Sequence, residues 1–168
     1  MNRYEKRPRL KRFSYKGRHQ YFITICTLNK HSTFSNEDPV MCCLKILKEK
    51  SQVMNFKVWA YCFMPDHLHL LLEGKSEDAD LKGFISSFKQ ASGYHYRLNV
   101  AQGFSPVDMP KLWQPSFYDH VLRENEDLPA VVRYILNNPV RKGLADHYTE
   151  YAFSGSLVFK DGIEGVLS

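Results

Sequence analysis

The chain has 168 residues, 43% of them hydrophobic and 24% charged, with a formal net charge of +5 at pH 7; this length predicts one globular domain. No run of about 18 apolar residues could span a bilayer, and the charged N-terminus lacks the apolar stretch of a signal peptide, so we expect a cytoplasmic protein with no membrane partner. The four cysteines have no C-x-x-C spacing, which favours reduced core thiols over a zinc site or a disulfide framework.

A basic arm is predicted at residues 1–18, ahead of a domain at 19–156 and a C-terminal tail at 157–168. The arm holds eight Lys or Arg and one acid, a local charge of +7, whereas the rest of the chain has 15 basic and 17 acidic residues. Cations that neutralise phosphates release counterions, so the arm suits nucleic acid; the alternative is a solubilising tail. The arm residues expected to contact DNA are Arg7, Arg9, Lys11 and Arg12.

The first half of the chain alternates strand and helix patterns. Residues 20–28 are rich in β-branched and aromatic side chains, which predicts a strand. Residues 39–54 carry apolar side chains at helical spacing. Residues 56–63 and 67–73 again have strand character, and the short turn between them predicts a β-hairpin.

The second half repeats the pattern and adds one helix. Residues 81–98 form a second amphipathic helix, 102–115 a loop and 116–123 a fourth strand. A last helix is predicted at 128–138, with Asn125 as its N-cap and Pro139 as its stop. The order β-α-β-β-α-β is that of the ferredoxin-like, split βαβ arrangement, an α+β fold. We therefore expect an antiparallel central sheet with helices on one face.

Two histidines stand one residue apart in the third strand, in "MPDHLHLLL" (residues 64–72). Alternate residues of a strand point to one face, so His67 and His69 lie side by side with Cα atoms about 6.5–7 Å apart. Two imidazoles placed in this way can bind one cation. The alternative is a pair of histidines that is satisfied by hydrogen bonds at a sheet edge.

The last predicted helix carries Tyr134 and Asn138, four residues apart. This spacing places a phenol and a carboxamide on one flank of a continuous helix. The alternative is an ordinary amphipathic tyrosine followed by an asparagine at the helix C-terminus.

Three segments carry a family resemblance: "MPDHLHLLL", "LWQPSFYDHVLR" and "RYILNNPVRKGL". In this order and spacing they resemble the single-tyrosine transposases of the HUH superfamily, and most closely the REP-associated tyrosine transposases. The match extends from about residue 22 to residue 156. It implies the HUH endonuclease fold, with Tyr134 as nucleophile and with His67, His69 and Asn138 as metal ligands. The metal implied is Mg²⁺ or Mn²⁺, although the ligand types alone would also admit zinc or nickel.

The resemblance also implies an activity. The expected enzyme cleaves and rejoins single-stranded DNA beside a hairpin through a 5′-phosphotyrosine, as a monomer or homodimer. Basic residues near aromatic side chains fit single-strand binding, and Lys89, Arg141 and Lys142 are the further contacts expected. One alternative is a non-catalytic single-stranded DNA-binding module. Another, a histidine-triad hydrolase, is disfavoured because Leu71 occupies the position of the third histidine.

Overall fold

This computed structural model describes residues 10, 12–100 and 110–159. A five-stranded antiparallel sheet of order β4-β1-β3-β2-β5 forms its centre. The first four strands have the predicted ferredoxin-like order, so the α+β prediction is confirmed. The strands are β1 Gln20–Cys26, β2 Phe56–Met64, β3 His67–Gly74, β4 Tyr118–Val121 and β5 Ser154–Gly155. The helices are α1 Glu37–Val53, α2 Leu81–Val100, α3 Leu128–Leu136 and α4 Asn138–Arg141.

The predicted hairpin is present, and it places the histidines at the end of a central strand. β2 and β3 pair from Phe56 opposite Gly74 to Met64 opposite His67. β1 ends two residues earlier than predicted because residues 28–30 form a 3₁₀ turn, in which Asn29 has φ 54°.

The helices cover both faces of the sheet, so the prediction that they share one face is wrong. Leu68, Leu70 and Leu72 of β3 belong to the main core, whereas Leu71 belongs to a second core formed with α3. The physical cause lies in β2, where a bulge between Val58 and Ala60 changes the alternation. The residues that follow the bulge on this second face are Ala60, Cys62 and Met64, and they bury the apolar side of α3.

The last helix begins and ends differently from the prediction. Its N-cap is Asp127, whose carboxylate accepts a hydrogen bond from the Ala130 N–H at 3.2 Å, so the assignment of Asn125 is wrong. The helix ends at Leu136, and α4 begins at Asn138 with Pro139 in its first turn. Proline lacks the N–H that a continuing helix needs but suits a first helical turn, which explains the break.

Parts of both predicted tails pack against the domain. Tyr15 is 4% exposed and donates a hydrogen bond to Asp119 at 2.7 Å. The Leu157 N–H donates to the Val58 carbonyl at 3.0 Å. The four cysteines have free thiols. Within the described residues, no helix combines the length and apolar character needed to cross a membrane.

Candidate functional site

The two histidines of β3 meet on the face of the sheet that carries α3. Their Nε2 atoms lie 3.0 Å apart, and their ring centroids are 4.5 Å apart. His69 is 4% exposed. The prediction that both imidazoles point to one face is therefore confirmed.

The Nδ1 atom of each imidazole lies within hydrogen-bond distance of a side-chain oxygen. Asp66 Oδ1 lies 2.5 Å from His67 Nδ1, and a carboxylate can only accept there, so a neutral His67 presents a lone pair at Nε2. Thr24 Oγ1 lies 2.9 Å from His69 Nδ1 and can either donate or accept. If Thr24 donates to His69 Nδ1, the hydrogen of His69 is on Nε2 and donates to His67 Nε2. If Thr24 accepts from His69 Nδ1–H, the Nε2 lone pairs of both histidines face each other and require a cation between them.

The electrostatic surroundings favour neutral His69. Burial lowers the pKa of His69 well below its usual value, and the nearby His67 and Arg141 lower it further. A neutral imidazole is the form that binds metals. A carboxylate or hydroxyl on the far ring nitrogen is also the usual support of a metal-binding histidine.

The spacing of the pair fits a divalent cation. Two ligands about 2.1 Å from an octahedral ion and at right angles to each other lie about 3.0 Å apart, which is the observed Nε2 separation. In the part of the chain that the structure describes, no third His, Cys, Asp or Glu completes a cluster. The remaining donors must then be of another type, such as a carboxamide, water or phosphate oxygens.

Tyr134 lies next to the histidine pair across one aromatic ring. Phe22 of β1 contacts His69 with ring centroids 5.3 Å apart and Tyr134 edge-to-face at 5.9 Å. Phe22 thus packs between the imidazoles and the phenol and fixes their relative positions. No sequence pattern indicates this role of Phe22, because the role depends on the pairing of β1 with β3.

Arg141 covers the other side of Tyr134. Its guanidinium carbon lies 4.0 Å from the centroid of the phenol ring, and its Nη1 donates to the Tyr134 carbonyl at 3.1 Å. The guanidinium is exposed and retains donors for an anionic ligand. In a continuous helix, the backbone of Arg141 would lie about 10 Å along the axis from that of Tyr134. The break between α3 and α4 therefore brings the guanidinium close to the phenol ring.

Asn138 is the first residue of α4 rather than a continuation of the helix of Tyr134. It is 4% exposed, and α4 packs against β2, the neighbour of β3. The argument that Asn138 and Tyr134 share the flank of one helix is therefore wrong. The role of Asn138 as a ligand stays a prediction.

The predicted DNA contacts have different surroundings. Lys142 is exposed at the end of α4, and Arg12 is exposed in the arm. Lys89 donates to the carbonyls of Gln114 and Pro115 at 2.5 and 2.9 Å, so its ammonium stabilises a loop. Arg7, Arg9 and Lys11 lie outside the described residues.

Several known proteins are similar to this chain. The family profile described as "Transposase IS200 like" matches residues 15–138. The REP-associated tyrosine transposase of Escherichia coli K12 is 25% identical over 134 residues, which cover 80% of this chain and 74% of that protein.

Two solved structures share the fold. One is a REP-associated tyrosine transposase bound to a REP hairpin, with a TM-score of 0.69 and 22% identity over 88% of this chain and 82% of that one. The other is a candidate transposase from Deinococcus radiodurans, with a TM-score of 0.53 and 20% identity over 79% and 97% of the two chains.

Proposed function

Because the chain belongs to the IS200-like transposase family, we propose that it cleaves and rejoins single-stranded DNA through a covalent bond to Tyr134. The observation that carries the proposal is the grouping of a phenol, two imidazoles and a guanidinium on one face of the sheet, where Phe22 contacts both Tyr134 and His69. This set supplies a nucleophile, a pair of cation ligands and a positive charge for phosphate.

The reaction assigned to Tyr134 is an in-line displacement at phosphorus. The phenol oxygen forms a bond to the scissile phosphorus, the bond from phosphorus to the 3′ oxygen breaks, and a free 3′-OH and a 5′-phosphotyrosine result. The phenol proton passes to solvent, and the departing 3′ oxygen takes a proton from solvent. Because the covalent bond conserves the phosphodiester energy, the 3′-OH of another end can reverse the step and join new partners.

His67, His69 and Asn138 are proposed to hold a divalent ion, Mg²⁺ or Mn²⁺. Such an ion supplies charge stabilisation at the phosphate oxygens. Asp66 orients the ring of His67, Thr24 orients the ring of His69, and burial keeps His69 neutral. When Thr24 accepts from His69 Nδ1–H, the pair presents two Nε2 lone pairs without a large rearrangement.

Arg141 is proposed to act at the same centre. Its guanidinium lies over the ring of Tyr134, so it holds the phenol in place and stabilises the negative charge that develops on the phenol oxygen. Its outward donors can bind an oxygen of the attacked phosphate.

The proposed substrate is a single strand beside a hairpin. A REP hairpin is bound by the transposase whose structure shares this fold, and the basic arm offers phosphate contacts of the kind that single strands use. Lys142 and Arg12 are exposed and able to serve in this way. Lys89 is proposed to contribute through the loop that it stabilises.

Cleavage of labelled DNA tests the proposal. The protein is incubated with Mn²⁺ and single-stranded oligonucleotides that carry hairpins from the DNA flanking its gene, and the products are separated on a denaturing gel. We expect a labelled protein-DNA adduct that Tyr134→Phe or excess EDTA abolishes while DNA binding remains. Binding without any adduct in the wild-type protein would instead identify a non-catalytic DNA-binding module.

A further inference from the structure

One part of the catalytic face is left open by the helices. α3 packs on β2 and β3 and reaches Phe22 of β1, whereas Thr24 of β1 is only half-buried. At that place Tyr118 of β4 is 40% exposed. Phe117, the residue before β4, and Val121 of β4 pack against the core on the opposite face, so by strand alternation Tyr118 lies on the side of the histidines.

The register connects Tyr118 directly with the candidate site. Thr24 of β1 pairs with Tyr118 on one side and with His69 on the other. Neighbouring strands are about 4.8 Å apart, so the Cα atoms of Tyr118 and His69 are separated by about 10 Å. This distance corresponds to about three stacked nucleotides at 3.4 Å each, and to fewer in an extended strand.

Positive charge lies on the same face, on the histidine side of Tyr118. The exposed guanidinium of Arg141 lies over the ring of Tyr134, which contacts Phe22 beside His69. β4 is an edge strand. A single strand that passes Arg141 and the histidine pair and then crosses β1 thus meets the aromatic ring of Tyr118.

We propose that Tyr118 is a stacking platform for one base of the single-stranded DNA, within about three nucleotides of the scissile phosphate. The proposal rests on the proposed function and adds a subsite to it. A nucleobase is the occupant that fits, because an exposed aromatic ring on the same face as an exposed guanidinium is the arrangement with which proteins hold single strands. The contact tolerates any base, since every base has a π face.

The test couples a protein variant to a DNA variant. The cleavage position is first mapped with the wild-type protein, and single abasic sites are then placed at each of the three nucleotides on either side of it. KM and the single-turnover rate of adduct formation are measured for wild type, Tyr118→Ala and Tyr118→Phe. Tyr94→Ala is the matched control, because Tyr94 is also an exposed tyrosine but lies on α2.

We expect Tyr118→Ala to raise KM roughly 5- to 150-fold, the range that corresponds to loss of one stacked base. Tyr118→Phe and Tyr94→Ala should stay near wild type. One abasic position should weaken the wild-type protein by a similar factor and leave Tyr118→Ala unaffected. That lack of additivity identifies a direct contact, which a loss of folding would not produce.

Three kinds of result overturn the inference in different ways. Normal cleavage by Tyr118→Ala, or abasic effects that simply add to those of the variant, removes the stacking subsite and leaves the proposed function intact. If the wild-type protein neither binds nor cleaves single-stranded DNA, both proposals fail together. If Tyr118→Ala forms no adduct at any DNA concentration but binds normally, Tyr118 acts in the chemistry and the stacking role is wrong.

Discussion

Replacing Arg141 by alanine separates charge stabilisation at Tyr134 from ordinary DNA binding. The guanidinium carbon is 4.0 Å from the ring centroid, which places it about 5 Å from a charge on the phenol oxygen. Coulomb's law then gives an attraction of about 3 kcal/mol at a permittivity of 20 and about 0.8 kcal/mol at the permittivity of water. Because Arg141 is exposed, the lower half of this range applies. The expected loss is about 4- to 25-fold in the rate of adduct formation.

Single-turnover kinetics at saturating DNA measure this loss directly. Arg133→Ala is the matched control, since Arg133 is an arginine of α3 that pairs with Asp127 at 3.4 Å instead of covering Tyr134. Arg141→Lys should recover part of the rate, because it keeps the charge but loses the planar contact with the ring. Thermal unfolding of each variant accounts for any loss of stability.

A change in KM alone would refute the reasoning. If Arg141→Ala reacts as fast as wild type once DNA is saturating, the guanidinium binds the substrate without acting on the nucleophile. Equal losses in Arg141→Ala and Arg133→Ala would point to the general loss of positive charge rather than to the contact with Tyr134.

Three further predictions concern the metal, acid stability and the arm. Asp66→Ala should raise the Mn²⁺ concentration needed for half-maximal cleavage about 10- to 100-fold, because His67 loses the carboxylate that orients its ring. The control Asp78→Ala, at an exposed aspartate, should leave this concentration unchanged. A Mn²⁺ titration of cleavage by both variants tests the prediction. The metal-free protein should lose up to about 2 kcal/mol of stability between pH 7 and pH 5 through His69, because the lowered pKa keeps this residue neutral in the folded state while the unfolded chain takes up a proton below about pH 6.5. Urea unfolding at each pH should show a smaller loss of stability in His69→Gln but not in the control His95→Gln. An unchanged dependence of stability on pH in His69→Gln would contradict the assignment. Deletion of residues 1–12 should lower the slope of log affinity against log salt by about 0.7 for each lost phosphate contact and spare cleavage at saturating DNA; an unchanged affinity and slope would make the arm a solubilising tail.

The sheet and the histidine pair follow from local patterns. Strand alternation alone places His67 and His69 on one face and Leu68, Leu70 and Leu72 on the other, because the period of two is a property of the backbone. The β2–β3 hairpin is equally local. These parts of the fold depend on residues that are close in sequence.

The rest of the site depends on tertiary contacts that no local pattern encodes. The β2 bulge at Val58 directs a second apolar surface toward α3, and only the strand pairing brings Thr24 to His69. Asn and Asp have about equal N-cap propensity, so propensity did not exclude the predicted cap Asn125 in favour of Asp127. Pro129 distinguishes the two caps, because proline favours the first turn of a helix and lies in that turn when Asp127 is the cap.

The break after α3 had the largest consequence for the site. Sequence periodicity treated residues 128–138 as one helix, whereas the chain starts a new turn at Asn138. That break returns Arg141 to Tyr134, so a residue predicted to contact DNA also covers the proposed nucleophile. Lys89 shows the opposite case, a surface cation whose ammonium bonds to loop carbonyls.

Identification of the residue that carries the DNA tests the central claim most directly. The adduct formed with hairpin DNA and Mn²⁺ is digested with nuclease and protease, and mass spectrometry locates the peptide with a nucleotide attached. The proposed function predicts one modified residue, Tyr134, linked to a 5′ phosphate and absent from Tyr134→Phe. A nucleotide on another tyrosine, such as Tyr118, or cleavage without any covalent adduct would contradict it.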